Sequence, residues 1–233
     1  MGSVLSYIPI KLQLCEHPLA SWFHNEGDNM TSISKHPRVK QFLALVFVFS
    51  CASAVQGENL VTGGTAKACA TTPNAGHADG RHDFDFFNGS WTFHNRKLVG
   101  LFKQSHEWEE FDGVAHARPI LAGTGSVDEW SLAAYRPGFV GMTIRLFDGA
   151  TGLWSSYEVS NRSGAMGPAV TGCFNDGIGV LEGNDELEGQ AIRVRYVWNV
   201  QNKSRPKWEQ AFSKDGGKTW ESNWYIEFSK APD

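Results

Sequence analysis

The sequence predicts an all-β protein, a single antiparallel β-barrel of about ten strands. Three observations lead to this prediction. The chain of 233 residues contains 25 glycines, 15 phenylalanines and 9 tryptophans, and many aromatic residues combined with many glycines are typical of short strands joined by tight turns. Short runs of alternating apolar and polar residues follow one another along the chain. No apolar pattern of helical spacing continues beyond a turn or two.

The strand candidates come in close succession. Seven clear runs cover residues 91–99, 104–111, 140–147, 153–160, 192–200, 207–213 and 219–229, and four shorter ones cover 116–121, 127–133, 170–174 and 178–181. Turn-forming residues separate these runs, as in Asn175-Asp176-Gly177. Short antiparallel strands without a long crossover favour one closed or nearly closed barrel. A propeller would require repeated blades, and the sequence contains no such repeat.

The N-terminal part has the features of an export signal. Basic residues at 35–40 precede the unbroken apolar run 42–49, and Ala52 and Ala54 supply the small side chains that a signal peptidase requires. The apolar run is too short to span a bilayer, which takes about 20 residues. We therefore expect a signal peptide at 30–54, no stable membrane span, and a periplasmic or secreted protein.

The start of translation has two interpretations. The signal peptide fits best if translation starts at Met30, which makes residues 1–29 an upstream extension; the alternative is a start at Met1 with a long basic region or a short anchor. Residues 55–82 are small and polar, as in a flexible tail or linker, and the barrel domain is predicted at 83–230.

Two of the four cysteines remain after export. Cys69 and Cys173 form one disulfide that ties the tail to the barrel, or else they are two unrelated thiols; both interpretations are open.

The sequence lacks the signatures of several classes of function. The net charge is −4 and no stripe of lysine and arginine is present, which argues against a nucleic-acid partner. The sequence has no nucleophile elbow, phosphate loop or dinucleotide fingerprint, so no cofactor is expected. His94, His106 and His116 lack metal-ligand spacing, and we predict no metal site.

The motif Ser213-x-Asp215-x-Gly217-x-Thr219-Trp220 resembles the Asp-box of sialidases. Only one copy occurs, between two alternating aromatic runs. Asp215, Gly216 and Gly217 tolerate the backbone conformations of a tight turn. We therefore predict a β-hairpin that joins the last two strands rather than a sugar-hydrolysing site.

A series of sequence blocks carries a family resemblance. The blocks are DFDFFNGSWTFHNRKL (83–98), EWEEFDG (107–113), ILAGTGSVDEW (120–130), IRLFDGATGLWSSY (144–157) and WEQAFSKDGGKTWESNW (208–224). Together they resemble an uncharacterised lipocalin-like, calycin-type family of bacterial proteins. The resemblance implies a lipocalin-like β-barrel with an internal cavity and no established reaction. The chain departs from the family at Glu158, where a second aromatic is expected after Tyr157, and at Cys173, where a basic residue is expected.

The last three strands have two different faces. Aromatic residues such as Tyr196, Trp198, Trp208 and Trp224 alternate with charged ones. One interpretation places the aromatic face in the lumen and an ion-pair ladder outside. The other interpretation inverts this arrangement, so that a polar pocket is lined by Arg193, Arg195, Glu209, Glu221 and Glu227.

We predict that the barrel binds a small apolar or aromatic molecule in its lumen. The candidate ligand-binding residues are Trp91, Trp154, Trp208 and Trp224 for stacking, with Arg96, Glu129 and Arg145 for polar contacts. Asp128 and Glu129 follow a glycine-rich segment, and either a solvated loop end or a catalytic role at the barrel mouth fits them. Arg96 and Arg145 are placed to pair with these acids or with a ligand carboxylate. The alternative function is an isomerase, cyclase or hydrolase with a carboxylate–arginine site. The sequence assigns no catalytic residue and no oligomeric state.

Overall fold

The computed structural model describes residues 80–231, which form a closed barrel of ten antiparallel strands. Each strand pairs with its neighbours in sequence, and the first pairs with the last. The strands are β1 (Gly89–Leu98), β2 (Trp108–Ile120), β3 (Gly125–Ser131), β4 (Val140–Asp148), β5 (Leu153–Ser160), β6 (Val170–Asn175), β7 (Ile178–Leu187), β8 (Gln190–Asn199), β9 (Lys207–Ser213) and β10 (Glu221–Lys230). The predicted fold class is confirmed.

The clearest difference from the predicted strands concerns β2. The candidates 104–111 and 116–121 belong to the single strand β2, and residues 104–107 precede it. Phe102 and Gln104 have positive φ values of 58° and 54°. This left-handed backbone is uncommon outside glycine, and it places a turn where the sequence pattern predicts the start of a strand.

The predicted extension 1–29 and signal peptide 30–54 lie outside the described residues, as does the tail up to residue 79. Gly80–His82 form a short 3-10 turn against the barrel, and the Trp154 indole donates a 2.9 Å hydrogen bond to the Gly80 carbonyl. Cys173 is disulfide-bonded, so the interpretation as a free thiol is wrong for this residue. Its predicted partner, Cys69, lies outside the described residues.

The aromatic face of β8–β10 points into the barrel. Tyr196, Trp198, Trp208, Trp224 and Phe228 are all buried. The interpretation with an aromatic lumen is therefore confirmed.

The inverted interpretation, in which arginines and glutamates line the lumen, is wrong. Arg193 forms a 2.9 Å ion pair with Glu182 on the outer surface, and the Arg195 guanidinium lies 4.5 Å from the Trp220 ring centre.

The remaining members of that set have partners outside the lumen as well. Glu209 accepts a hydrogen bond from Ser222, Glu221 accepts one from the Phe102 amide, and Glu227 pairs with Lys207.

Aromatic residues close one end of the barrel. The segment before β1 contains a 3-10 turn, Asp85–Phe87, which brings Phe84 and Phe87 under the strands. The Phe87 ring stacks on Trp91 with centroids 5.3 Å apart, and Phe84 meets Trp154 edge-on at 5.0 Å. These buried rings form the floor of the barrel.

Glycines opposite large aromatic rings make room inside the barrel. A Cβ at Gly141 would lie 2.4 Å from the Trp130 ring, and a Cβ at Gly113 would lie 2.3 Å from Phe93. These distances are far below van der Waals contact, so any side chain at either glycine would displace the facing ring. Both rings line the internal cavity.

The Asp-box motif forms the turn of the β9–β10 hairpin, as predicted. The Asp215 carboxylate accepts hydrogen bonds from the Lys218 and Thr219 amides, each at 2.9 Å, and from the hydroxyls of Thr219 and Ser213. These hydrogen bonds, with the Thr219 hydroxyl first, hold the pKa of Asp215 well below its usual value. The motif fixes the turn that sets the register of the last two strands.

Candidate functional site

A small cavity of about 60 Å³ lies inside the barrel. One side, which we call the polar wall, is formed by β3, β4 and β5 with the residues Asp128, Thr143, Arg145, Ser156 and Glu158. The other side, the aromatic wall, is formed by β8, β9 and β10 with the residues Tyr196, Trp198, Trp208, Trp224 and Phe228. Phe87 from the floor, together with Phe93 and Trp130, completes most of the lining.

Strand register assembles the polar wall in two rows. Asp128 lies opposite Thr143, and Thr143 lies opposite Glu158. The neighbouring row is formed in the same way by Ser126, Arg145 and Ser156. Directly opposed residues in antiparallel strands have Cβ atoms about 4.5–5.5 Å apart and point to the same face. Side chains distant in sequence therefore form one compact polar surface.

A buried ion pair forms the centre of the polar wall. The Arg145 guanidinium donates a hydrogen bond to the Asp128 carboxylate, and each residue is only 4% exposed. Burial raises the pKa of Asp128, while the positive charge of Arg145 opposes this effect. The same guanidinium lies over floor rings, 4.9 Å from the centre of Phe84 and 5.5 Å from that of Phe87. Arg145 thus joins the polar wall to the floor.

Glu158 is the titratable carboxyl group of the cavity. It retains some accessible surface, but it lines the internal cavity, and burial raises its pKa to about 7. Tyr196 and Arg145 partly oppose this effect by stabilising the carboxylate. A carboxyl group that exchanges its proton near neutral pH is suited to acid–base chemistry.

Two polar atoms at the cavity are buried without a hydrogen-bond partner in the described part of the chain. They are Nε of Arg145 and the hydroxyl of Tyr196. The Tyr196 hydroxyl is close enough to Glu158 and Gln210 for both side chains to affect its pKa, but neither contact has the distance and angle of a hydrogen bond. Burial, followed by the charge of Glu158, raises the pKa of Tyr196 well above its usual value, so the hydroxyl stays protonated.

The aromatic wall is held by packing and by hydrogen bonds. The Trp208 and Trp224 rings meet edge to face with centroids 5.5 Å apart. The Trp224 indole donates a 2.9 Å hydrogen bond to the buried Asn95 side chain, which itself donates to the Phe111 carbonyl at 3.0 Å. These contacts fix the orientation of the rings that face the cavity.

The predicted ligand-binding residues are divided among three places. Arg145, Trp208 and Trp224 line the cavity. Trp91 and Trp154 are buried at the floor, where their indoles donate to the carbonyls of Phe87 and Gly80.

The predicted polar contacts of Arg96 and Glu129 with a lumenal ligand need correction. Arg96 lies on the outer surface, with its guanidinium 4.5 Å from the centre of the Trp108 ring, and Glu129 is exposed. Successive residues of a strand point to opposite faces. Because Asp128 points inward, its neighbour Glu129 points outward.

Sequence reasoning gave the pair of Asp128 with Arg145 as one alternative, and the structure contains that pair. It missed Thr143, Ser156 and Glu158 of the polar wall and the Tyr196 hydroxyl that faces them. Alternation along β5 could have revealed two of them. Once Trp154 is placed inside, Ser156 and Glu158 must point inward as well.

A second cavity of about 310 Å³ lies at the end of the barrel opposite the floor. Lys97, Glu109, Tyr135 and Gln210 are among its lining residues. Burial, followed by the charge of Arg136, lowers the pKa of Lys97 well below its usual value. Gln210 also interacts with Tyr196 of the inner cavity. This second cavity, which we call the mouth cavity, therefore borders the lumen.

The histidines of the early strands lie on the outer surface. His94 pairs with Asp112 at 2.8 Å, and His116 lies 3.0 Å from the Ser90 hydroxyl. Within residues 80–231, no three His, Cys, Asp or Glu residues are grouped so as to hold a metal ion. The same part of the chain contains no helix long and apolar enough to cross a membrane.

No protein-family model matches the chain, and no curated protein matches it. Among solved structures, the chain is similar to the one titled "Crystal Structure of Rv2717c from M. tuberculosis". The two chains are 8% identical, with a TM-score of 0.45, and the match covers 66% of this chain and 99% of that chain. The lipocalin-like family indicated by the sequence blocks stays a prediction.

Proposed function

We propose that the barrel binds a small uncharged molecule in its lumen. The apolar or aromatic body of the ligand would lie against Trp198, Trp208 and Trp224. Its polar end, a hydrogen-bond acceptor such as a carbonyl oxygen, would take hydrogen bonds from Tyr196 and Arg145. The export features at residues 30–54 support a further proposal, that the barrel performs this function in the periplasm or outside the cell.

The two buried donors without partners support this proposal most directly. A buried donor that lacks a partner costs about 1–3 kcal/mol. Both donors belong to residues that line the same cavity, so a ligand oxygen bound between them would satisfy both. A carboxylate ligand fits less well because Asp128 and Glu158 already place negative charge in the polar wall.

The cavity volume limits the ligand. A buried water needs roughly 10–15 Å³ of such space, so 60 Å³ holds about four to six non-hydrogen atoms. A molecule of that size fits whole. A longer ligand would place its polar end here and extend toward the mouth cavity.

Nuclear magnetic resonance titration of the full chain tests this proposal. The probes are cyclopentanone, which has about six non-hydrogen atoms, and cyclopentane, which lacks the oxygen. We expect saturable shifts at the indole resonances of Trp208 and Trp224 with the ketone and much weaker binding of the hydrocarbon. Tyr196→Phe removes one donor and should weaken ketone binding about tenfold, which corresponds to about 1.4 kcal/mol.

Tyr225→Phe is the matched control, since Tyr225 packs outside the lumen against Trp108 at 5.5 Å. It should bind the ketone as the unmodified protein does. Equal affinity for the two probes, or equal effects of the two tyrosine substitutions, would show that the buried donors hold water rather than a ligand.

A further inference from the structure

The ligand site contains a carboxylate beside the two donors. We propose that the lumen catalyses the enolisation of small ketones, with Glu158 as the base and Tyr196 and Arg145 as donors to the carbonyl oxygen. This inference rests on the proposed function, because the ketone must first bind as described above. It assigns a reaction class to the site and a role to each of three residues.

The reaction requires no oxidant and no metal. The Glu158 carboxylate takes a proton from the carbon next to the carbonyl group. The electron pair of that C–H bond forms the carbon–carbon double bond of an enolate, while the carbonyl π pair moves to oxygen. The O–H of Tyr196 and the N–H of Arg145 stabilise the negative oxygen. Glu158 then exchanges this proton with solvent and protonates the same carbon, which gives isotope exchange, or it protonates a carbon further along a β,γ-unsaturated ketone, which moves the double bond.

The strand register gives the three groups a suitable arrangement. Arg145 lies opposite Ser156, so Glu158 is its diagonal neighbour on β5. Diagonal neighbours are about 7–8 Å apart, which leaves room for a carbonyl group and its adjacent carbon. Tyr196, on β8, interacts with Glu158 from the facing wall. The base and the donors can therefore contact neighbouring atoms of one ligand.

The other carboxylate of the polar wall is unsuited to be the base. Asp128 is already bound by Arg145, in a pair that is almost completely buried. Taking a proton would weaken that pair. Arg145 uses one terminal nitrogen for Asp128, and its Nε has no hydrogen-bond partner among residues 80–231. Asp128 therefore orients the guanidinium, and Glu158 is the carboxylate that remains for proton transfer.

The surroundings of Glu158 favour proton exchange near neutral pH. The charged or titratable groups that affect it are Tyr196 on β8, Arg145 on β4, Asp128 on β3 and Asp185 on β7. Burial, with smaller contributions from Asp128 and Asp185, raises the pKa of Glu158 to about 7, and Tyr196 and Arg145 oppose part of this rise. A base is most effective when its pKa is close to the working pH.

Deuterium exchange into cyclopentanone tests the inference on the full chain. The ketone is incubated in deuterated buffer, and loss of the signal from hydrogens next to the carbonyl is followed by nuclear magnetic resonance. We expect exchange well above the buffer rate, rising with pH and levelling above about pH 7. Glu158→Gln should reduce the rate at least about 100-fold while changing ketone affinity less than about threefold.

Two further variants separate the roles. Tyr196→Phe should reduce the exchange rate about 100-fold, more than it weakens binding, because the donor acts most strongly on the enolate oxygen. Glu110→Gln changes an exposed glutamate of β2 and should give the same rate of deuterium exchange into the ketone as the unmodified protein.

The two proposals fail in different ways. Saturable ketone binding with exchange only at the buffer rate would overturn the catalytic inference and leave the binding function in place. The inference would also fail if Glu158→Gln and Glu110→Gln exchanged equally fast. Absence of ketone binding would overturn both.

Discussion

The two walls of the cavity are built in opposite ways. In the aromatic wall, Trp224 is hydrogen-bonded to Asn95 and packed against Trp208. The polar wall buries an ion pair and a carboxyl group, and the Nε of Arg145 has no partner within residues 80–231. Buried aromatic surface stabilises a fold, whereas buried charge and unpaired donors weaken it. The comparison indicates that the aromatic wall stabilises the fold, whereas the polar wall lowers its stability and holds the groups of the proposed site.

The largest expected effect comes from breaking the buried ion pair. Arg145→Met leaves the Asp128 carboxylate buried without its partner, and we expect the free energy of unfolding to fall by about 3–5 kcal/mol. Urea denaturation measures this change. Arg193→Met is the control, since it breaks an outer-surface pair of 2.9 Å that is partly exposed. It should cost less than about 1 kcal/mol.

A double variant tests whether the fold needs the charges of the polar wall. Asp128→Leu combined with Arg145→Met replaces the ion pair by apolar side chains of similar size, an exchange that is often neutral or stabilising. Recovery of stability in the double variant would mean that the fold does not need these charges. If it were as unstable as Arg145→Met alone, the polar wall would be a structural element, contrary to our comparison.

A smaller effect, of opposite sign, is expected at Glu158. Its pKa is about 7 in the folded protein and 4.5 ordinarily, so the folded state retains a proton that the unfolded state loses. Stability should therefore fall as pH rises from about 4.5 to about 7 and stay lower above that range. Glu158→Gln removes this penalty and should stabilise the protein at pH 8 by at most about 3 kcal/mol.

The measurement is the free energy of unfolding of the unmodified protein and of Glu158→Gln at about pH 5 and pH 8. We expect the gain from Glu158→Gln to be larger at the higher pH. Glu110→Gln, at an exposed position, provides the reference. A gain of the same size at both pH values would contradict the assignment of Glu158 as a buried titrating group.

The sequence predicted the fold better than the site. Alternation and turn residues place most strands within a few residues of their observed bounds. The regular alternation of β8–β10 identifies Trp208 and Trp224 as residues that share the aromatic face. The exceptions are β7, which continues to Leu187 beyond the predicted 178–181, and β2, whose start depends on the left-handed backbone at Phe102 and Gln104. Nothing in the residue types there signals such a conformation.

The polar wall could not be predicted in the same way. Asp128, Thr143 and Glu158 meet because three strands pair in one particular register. A shift of one residue would turn each side chain to the other face. The choice between Asp128 and Glu129 depends on that register alone. Glu158 differs, because alternation along β5 from the inward-facing Trp154 places it inside the barrel.

The hairpin at Asp215 offers the smallest and most selective test, because it lies outside both walls. Asp215→Ala removes an acceptor of two backbone amides and two hydroxyls, so the β9–β10 turn loses its internal bonds. We expect the melting temperature to fall by a few degrees and ketone binding to remain unchanged. Because its folded pKa is depressed, this contribution should be present at neutral pH and disappear as the carboxylate becomes protonated in acid. Thermal unfolding at neutral and acidic pH, together with the ketone titration, measures both effects. An unchanged melting temperature with lost binding would mean that the hairpin acts on the ligand directly. Ligand binding would then depend on more than the two walls of the cavity.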